Sequence, residues 1–140
     1  MTFICSVWKT SPYNIFVMTN IISNQASSLA KVFELLGQPN RLQILLAIAR
    51  EEACVCHLEA VLKVRQATIS QHLMVLRDAR LVITHRAGRH IYYRLANPDL
   101  YDAICQIADM SGLSEADLMK LSMRPVAGCP CPHCSCNASL

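Results

Sequence analysis

The stretch VCHLEAVLKVRQATISQHLMVL, residues 55–76, decides the fold of this 140-residue chain. Its first part places apolar side chains at helical spacing, and Lys63-Val64-Arg65 follows as a short connection. A second helix then begins near Gln66, and its buried stripe consists of Ile69, Leu73 and Leu76. Two short helices joined by a tight turn, the second with a polar free face, are typical of a helix-turn-helix.

The regions that flank this stretch complete the predicted fold. An earlier helical pattern ends at Gly37, and Pro39 suits the first turn of the next helix. After the helix-turn-helix, alternating apolar residues predict a two-stranded hairpin with its turn at residues 86–89. Alternation directs Tyr92 outward and Tyr93 toward the core. The chain is therefore predicted to be mainly α with a two-stranded β-wing, that is, a winged helix-turn-helix.

Two further helices and a tail are expected after the wing. Asn97 caps a helix that runs to about residue 112, and Ser114 caps a short one. We expect an irregular N-terminal arm over residues 1–24, the winged helix-turn-helix domain over 25–123 and a cysteine-rich tail over 124–140. Pro130 and Pro132 favour an extended backbone in that tail.

Charge is concentrated in the helix-turn-helix and the wing. The window between Arg65 and Arg94 holds six arginines and one acid, Asp78, whereas the whole chain has a net charge of only +3. A basic surface of this kind suits the phosphates of double-stranded DNA. Base contacts are expected from the exposed side of the second helix and phosphate contacts from the wing tip. The candidate DNA-binding residues are Gln66, Thr68, Ser70, Gln71, His72, Arg86 and Arg89.

The compartment follows from what the sequence lacks. It has no clean signal peptide, and no stretch approaches the roughly 18 apolar residues of a membrane span. We therefore expect a cytoplasmic protein without membrane contact, whose eight cysteines stay reduced or bind metal.

Two short cysteine clusters indicate the chemistry. Cys54-Val55-Cys56 begins the helix-turn-helix, and the tail carries CPCPHCSC at residues 129–136. Thiolates are soft ligands that favour zinc, cadmium, lead, copper(I) or arsenite over hard cations. His133 is either a further ligand or a spacer. The candidate metal ligands are Cys54, Cys56, Cys129, Cys131, Cys134 and Cys136.

The spacing of the first pair limits how it can hold an ion. Residues i and i+2 of a regular helix do not face each other. Either Cys54 precedes the helix, or ion binding unwinds the first helical turn. In both cases an ion would act on the entry to the helix-turn-helix.

Four runs together resemble the ArsR/SmtB family of winged-helix repressors: LGQPNRLQIL at 36–45, ACVCHL at 53–58, QATISQHL at 66–73 and GRHIYY at 88–93. The resemblance implies a homodimer whose interface is formed by the first helix and the helix over 97–112. It also implies binding to operator DNA that an inducer, usually a metal or metalloid ion, releases. One departure matters, because Glu59 stands where an arsenite-type box has its third cysteine. The tail is then the obvious donor of the missing ligands.

These observations favour a DNA-binding repressor that is released from its operator by cadmium, lead, zinc or arsenite. A repressor that senses oxidants or persulfides through the same thiols is the first alternative. A metal-buffering or metal-transfer protein is the second, although the arginine-bearing wing argues against it. No catalytic motif supports an enzyme.

Overall fold

The structure, a computed structural model, describes the backbone over residues 12–122 and 126–135 and the side chains over 23–122 and 126–134. Within these ranges the elements follow the order expected of a winged helix-turn-helix. They are α1 (Pro12–Leu36), α2 (Pro39–Ala47), β1 (Ala53–Cys54), α3 (Val55–Leu62), α4 (Gln66–Asp78), β2 (Val82–Ala87), β3 (His90–Leu95), α5 (Asp99–Met110), α6 (Glu115–Met119) and α7 (Pro132–Ser135).

The N-terminal helix is longer than its apolar pattern suggests. The chain divides into two compact units, Met1–Leu36 and Gly37–Leu140, and the 25-residue α1 belongs to the first. The prediction of an irregular arm up to residue 24 is therefore wrong from Pro12 onward. The many polar residues of this stretch hide a helical period, but no glycine or internal proline interrupts the helix. Residues 1–11 lie outside the described residues.

The predicted helix-turn-helix is confirmed, and local signals explain its boundaries. Gln38 caps α2 by accepting a hydrogen bond from the backbone N–H of Arg41 at 2.9 Å, and Pro39 occupies the first turn. Lys63 ends α3 in the left-handed conformation, with φ of 57°. The buried side chains of α4 are Ile69, Leu73 and Leu76, as the apolar stripe predicts. Packing of α4 against α2 and α3 leaves the opposite side of α4 open.

The wing has three strands where the sequence predicts two. The strand order is β1-β3-β2, all antiparallel, and Cys54 lies opposite Tyr92 in the register. Gly88, with φ of +60°, supplies the turn between β2 and β3. A strand of only two residues carries too little alternation to be recognised from the sequence.

The third strand and the tail reverse the predicted faces of β3. Tyr92 is buried at 2% exposure, whereas Tyr93 is only partly buried and Ile91 is 46% exposed. The prediction that Tyr92 points outward is wrong, because the tail packs over this face through Cys131 and Cys134. A face covered by a segment about 40 residues further along the chain cannot be identified from the alternation of one strand.

In the C-terminal part, the structure confirms two predicted helix caps and corrects the predicted conformation of the tail. Asn97 Oδ1 accepts a hydrogen bond from the backbone N–H of Asp99 at 3.0 Å, and the Ser114 hydroxyl accepts one from that of Asp117 at 3.3 Å. The tail is not extended throughout, because Pro132 begins the short α7. No described helix combines the length and the hydrophobicity that a membrane crossing requires.

Candidate metal site and nucleic-acid interface

The first cysteine pair lies at the junction of β1 and α3. Cys54 is the N-cap of α3, with φ of −86° and ψ of 166°, and Cys56 lies in the first turn of the helix. Their Sγ atoms are 2.8 Å apart. Of the two arrangements open from the sequence, Cys54 thus precedes the helix, and the extended backbone at the cap lets both thiols meet without unwinding α3.

The tail brings three more thiols to this junction. A turn closed by the Cys129 N–H to the Val126 carbonyl at 3.3 Å precedes Cys131, and α7 then directs Cys134 back toward α3. Cys131 is fully buried and Cys134 is 3% exposed. A segment that looks like a polar tail in sequence therefore packs its sulfur atoms into the interior.

The assembled donors form two overlapping groups, which we call together the thiol cluster. One ligand atom from each member of a group lies within 4.8 Å of those of the others. The first group is Cys54, Cys56, Cys129 and Cys131, and the second is His57, Cys129, Cys131 and Cys134. Four soft donors so close together match the ligand number and type of a zinc or cadmium site.

Burial keeps most of these thiols protonated. Burial, followed by the hydrogen bond with Cys56, raises the pKa of the Cys54 thiol to about 12. Burial also raises the pKa of Cys129 to about 12 and that of Cys56 above its ordinary value. Ion binding at these sulfurs must therefore release protons.

Cys131 differs from its neighbours. Burial pushes its pKa upward, but hydrogen bonds from Cys129, Cys134 and Cys54 outweigh burial and lower the pKa. The neighbouring thiols therefore stabilise the deprotonated form of Cys131.

A stack of rings connects the thiol cluster to the wing. The ring of His133 lies on Tyr92 with a centroid distance of 4.5 Å, and the ring of His85 stacks on Tyr92 at 5.5 Å. His85 Nδ1 is 3.1 Å from a carboxylate oxygen of Glu52, and His133 Nε2 is 3.9 Å from the other oxygen. Tail, β2 and the residue before β1 therefore meet around one tyrosine.

The candidate base-reading residues lie on the open side of α4. Gln66, Ser70 and Gln71 are exposed, whereas Thr68 and His72 are partly buried. His72 Nε2 lies 3.4 Å from Asn40 Nδ2, and burial, followed by the charge of Arg41, lowers the pKa of His72. His72 therefore also connects α4 to α2 through Asn40.

The candidate phosphate-binding residues occupy the tip of the wing. Arg86 and Arg89 are exposed on either side of the hairpin turn. The Arg86 Nε–H donates to the Gly88 carbonyl at 3.1 Å, which holds this side chain close to the turn. Exposed guanidinium groups on a turn can reach a backbone phosphate without losing internal ion pairs.

The remaining metal-ligand candidates from the sequence are Cys136 and His133. Cys136 lies outside the described residues. His133 and the half-buried Cys105 belong to neither group among the described side chains. Sequence reasoning missed His57, which is fully buried with Nδ1 3.1 Å from Cys134 Sγ. The spacing from Cys54 could have identified His57 as a candidate ligand. A histidine three residues after that cysteine lies about one helical turn further along the same side.

Comparisons with known proteins agree with this architecture. Residues 38–84 match the family described as "Bacterial regulatory protein, arsR family". The chain is 40% identical to a Synechocystis "Transcriptional repressor SmtB homolog" over 67% of this chain and 70% of that protein. It is 31% identical to the "Arsenical resistance operon repressor" of Escherichia coli over 76% of this chain and 92% of that protein.

A solved structure shows the same fold. A homodimeric winged helix-turn-helix DNA-binding domain from Mycobacterium bovis, described as a possible ArsR-family transcriptional regulator, superposes with a TM-score of 0.58. The two are 27% identical, and the match covers 64% of this chain and 83% of that one.

Fold and site together define a winged helix-turn-helix regulator of transcription, which binds DNA and is not an enzyme. The chain belongs to the ArsR/SmtB family of transcriptional repressors.

Proposed function

We propose that this protein leaves its operator when cysteine thiolates of the thiol cluster bind a thiophilic ion, namely cadmium, lead, zinc or arsenite. One observation carries the proposal: Cys54, Cys56, Cys129 and Cys131 lie within 4.8 Å of one another at the front of the helix-turn-helix. The names of relatives, such as the arsenical resistance operon repressor of Escherichia coli, support an inducer of this chemical class.

The position of the cluster supports a coupling between ion capture and DNA reading. Cys54 caps α3 and Cys56 lies in its first turn. Helix α3 packs directly against α4, and Cys54 also pairs with Tyr92 in the wing. Thiolates bound to a divalent ion leave the site with a net negative charge, which opposes phosphate binding, and a conformational change passed from α3 to α4 would add to this effect. A coupling free energy of about 1–3 kcal/mol between the two sites would weaken operator binding about 5- to 150-fold.

We further propose that the protein acts as a homodimer on double-stranded DNA. Apolar side chains are exposed on α1, where Leu29 and Phe33 are 57% and 53% exposed, and on α5, where Met110 is 88% exposed. Exposed apolar residues of this size favour a protein interface. Gln66, Thr68, Ser70, Gln71 and His72 would face the major groove, and Arg86 and Arg89 the phosphates.

The decisive experiment measures operator affinity of the fully reduced protein with and without each ion. The DNA probe is a fragment selected by the protein from random sequence, and affinity is read by fluorescence anisotropy. We expect at least one of cadmium, lead, zinc and arsenite to weaken binding about 5- to 150-fold. Cys54→Ser and Cys56→Ser should retain operator binding and lose the response.

Matched variants locate the response. Cys105→Ser removes a partly buried thiol outside the cluster and should respond like the wild type. Truncation after Val126 removes the tail ligands and should abolish the response. If no ion changes the operator affinity of the reduced wild type, the proposal is wrong, and tight ion binding without operator binding would instead favour a buffering protein.

A redox or persulfide-sensing repressor is the second candidate, and the 2.8 Å separation of the Cys54 and Cys56 Sγ atoms favours it. A thiolate beside other thiols can be oxidised and resolved to a disulfide. The raised pKa values of Cys54 and Cys129 weigh against this candidate, because protonated thiols are poor nucleophiles. Release by an ion under strict reduction supports metal sensing, whereas release only by an oxidant or persulfide supports the redox switch.

A further inference from the structure

The second donor group gives the thiol cluster more ligands than one ion can use. We propose that each protomer binds two divalent ions of the zinc or cadmium type, bridged by the sulfurs of Cys129 and Cys131. Cys54 and Cys56 complete the coordination of one ion, and His57 and Cys134 complete that of the other. This inference rests on the proposed function, since it concerns the same cluster.

The donors on the second side are placed like ligands. His57 is fully buried and Cys134 is 3% exposed, and His57 Nδ1 faces Cys134 Sγ at 3.1 Å. An imidazole nitrogen and a thiolate on opposite elements, α3 and α7, form half of a tetrahedral set.

The shared sulfurs supply the other half. Cys129 and Cys131 lie within 4.8 Å of every member of both groups. A tetrahedral ion needs four ligands, and a thiolate sulfur has enough lone pairs to bind two ions at once. Six donors with two shared therefore satisfy two tetrahedral ions, whereas a single ion would leave two buried donors beside it without use.

Charge favours the second ion as well. Four thiolates around one divalent ion leave a net charge of minus two in a largely buried site. A second divalent ion that adds one thiolate and a neutral imidazole reduces the net charge to minus one. Burial of the cluster under Tyr92 and the tail makes this reduction favourable.

The same donor set cannot hold two arsenite ions. Arsenite binds through three sulfurs and has little affinity for imidazole nitrogen, which is a harder donor than thiolate. The two groups together offer five thiols, one fewer than two sites of three sulfurs need. We therefore expect two equivalents of zinc or cadmium per protomer.

Ion stoichiometry tests the inference. The full-length reduced protein is titrated anaerobically with cadmium chloride and, separately, with zinc chloride, and bound ions are counted after gel filtration. We expect two ions per protomer. With ¹¹³Cd, nuclear magnetic resonance should show two signals with scalar coupling between them, because such coupling passes through a shared sulfur.

Variants separate this inference from the proposed function. His57→Asn and Cys134→Ser should each bind one ion and lose the cadmium–cadmium coupling. Cys134→Ser changes only the tail, so it keeps the test valid if His57→Asn fails to fold. Cys105→Ser should bind two ions.

Three results would overturn the inference. They are a single ion on the wild type, two uncoupled cadmium signals, and two ions retained by Cys134→Ser. A wild type that binds one ion and is released from DNA contradicts only the two-ion site. A wild type that binds none of cadmium, zinc, lead and arsenite contradicts the proposed function itself.

Discussion

The thiol cluster and the open face of α4 are the two chemical surfaces of this molecule, and they are built in opposite ways. The cluster collects its donors from β1, α3 and the tail, and most of them are buried. The α4 face comes from a single helix, and Gln66, Ser70 and Gln71 are exposed on it. A surface that binds DNA can be formed by one exposed helix. A site for a small ion needs ligands that surround the ion, and these come from several elements.

Tyr92 joins the thiol cluster to the wing, and its removal should have the largest effect on stability. It is 2% exposed and packs against Cys54, Cys131 and Cys134. Tyr92→Ala should lower the free energy of unfolding by about 3–5 kcal/mol, measured by urea denaturation, because the cavity lies between the wing and the tail.

The adjacent tyrosine is the matched control for this prediction. Tyr93 is only partly buried on the other side of β3, so Tyr93→Ala should cost clearly less. Equal losses for the two variants would mean that the tail does not pack on Tyr92 in solution.

The next largest effect is expected on the open face of α4, and it should leave the cluster intact. Gln71→Ala should weaken binding to the selected operator by about 5- to 150-fold, equivalent to about 1–3 kcal/mol, because a base contact is lost. Cadmium stoichiometry should not change. Operator affinity is measured by anisotropy, and Gln43→Ala, an exposed glutamine on α2, is the control.

A change in ion binding by the Gln71 variant would contradict the separation of the two surfaces. The same holds if Gln43→Ala weakens operator binding as strongly, since the effect would then come from α-helical stability and not from the groove.

The two surfaces also differ in how far the sequence alone predicts them. Ile69, Leu73 and Leu76 define the buried side of α4, and the polar side follows from the helical period. The whole face can therefore be assigned within one element. Its chemistry needs no information about what lies elsewhere in the chain.

The sequence predicts the cysteine ligands of the thiol cluster but not how the tail packs against the rest of the molecule. The cysteines could be recognised by type and spacing, and the tail could be inferred as a donor because Glu59 replaces a third cysteine. The pairing of the tail with His57 and Tyr92 depends on contacts between residues far apart in sequence, which no local period encodes. The two-residue β1 was missed because it is too short to show alternation, and α7 was missed because a proline suits an extended backbone as well as the first turn of a helix.

The wing tip should contribute a smaller and sequence-independent part of DNA binding. Arg89→Ala removes one exposed guanidinium, so the slope of log affinity against log salt should become shallower by about 1, and affinity should fall about tenfold at roughly 0.1 M salt. The loss should be equal for operator and random DNA. Arg50→Ala is the control, because Arg50 pairs with Glu115 at 2.6 Å. A loss confined to the operator would assign Arg89 to base reading.

The smallest effect is expected for His133, which belongs to neither donor group and lies on the ring of Tyr92 at 4.5 Å. His133→Ala should remove a stacking contact of about 0.5–1.5 kcal/mol and so weaken cadmium binding about 2- to 12-fold in chelator competition. Stoichiometry should stay the same, because the ring helps to dock the tail without binding the ion. His90→Ala, next to the same tyrosine but on the wing, should leave the affinity unchanged. If His133→Ala instead lowers the cadmium affinity several hundredfold, or removes one bound ion per protomer, His133 is a ligand. The donor group that contains His57 would then have to be revised.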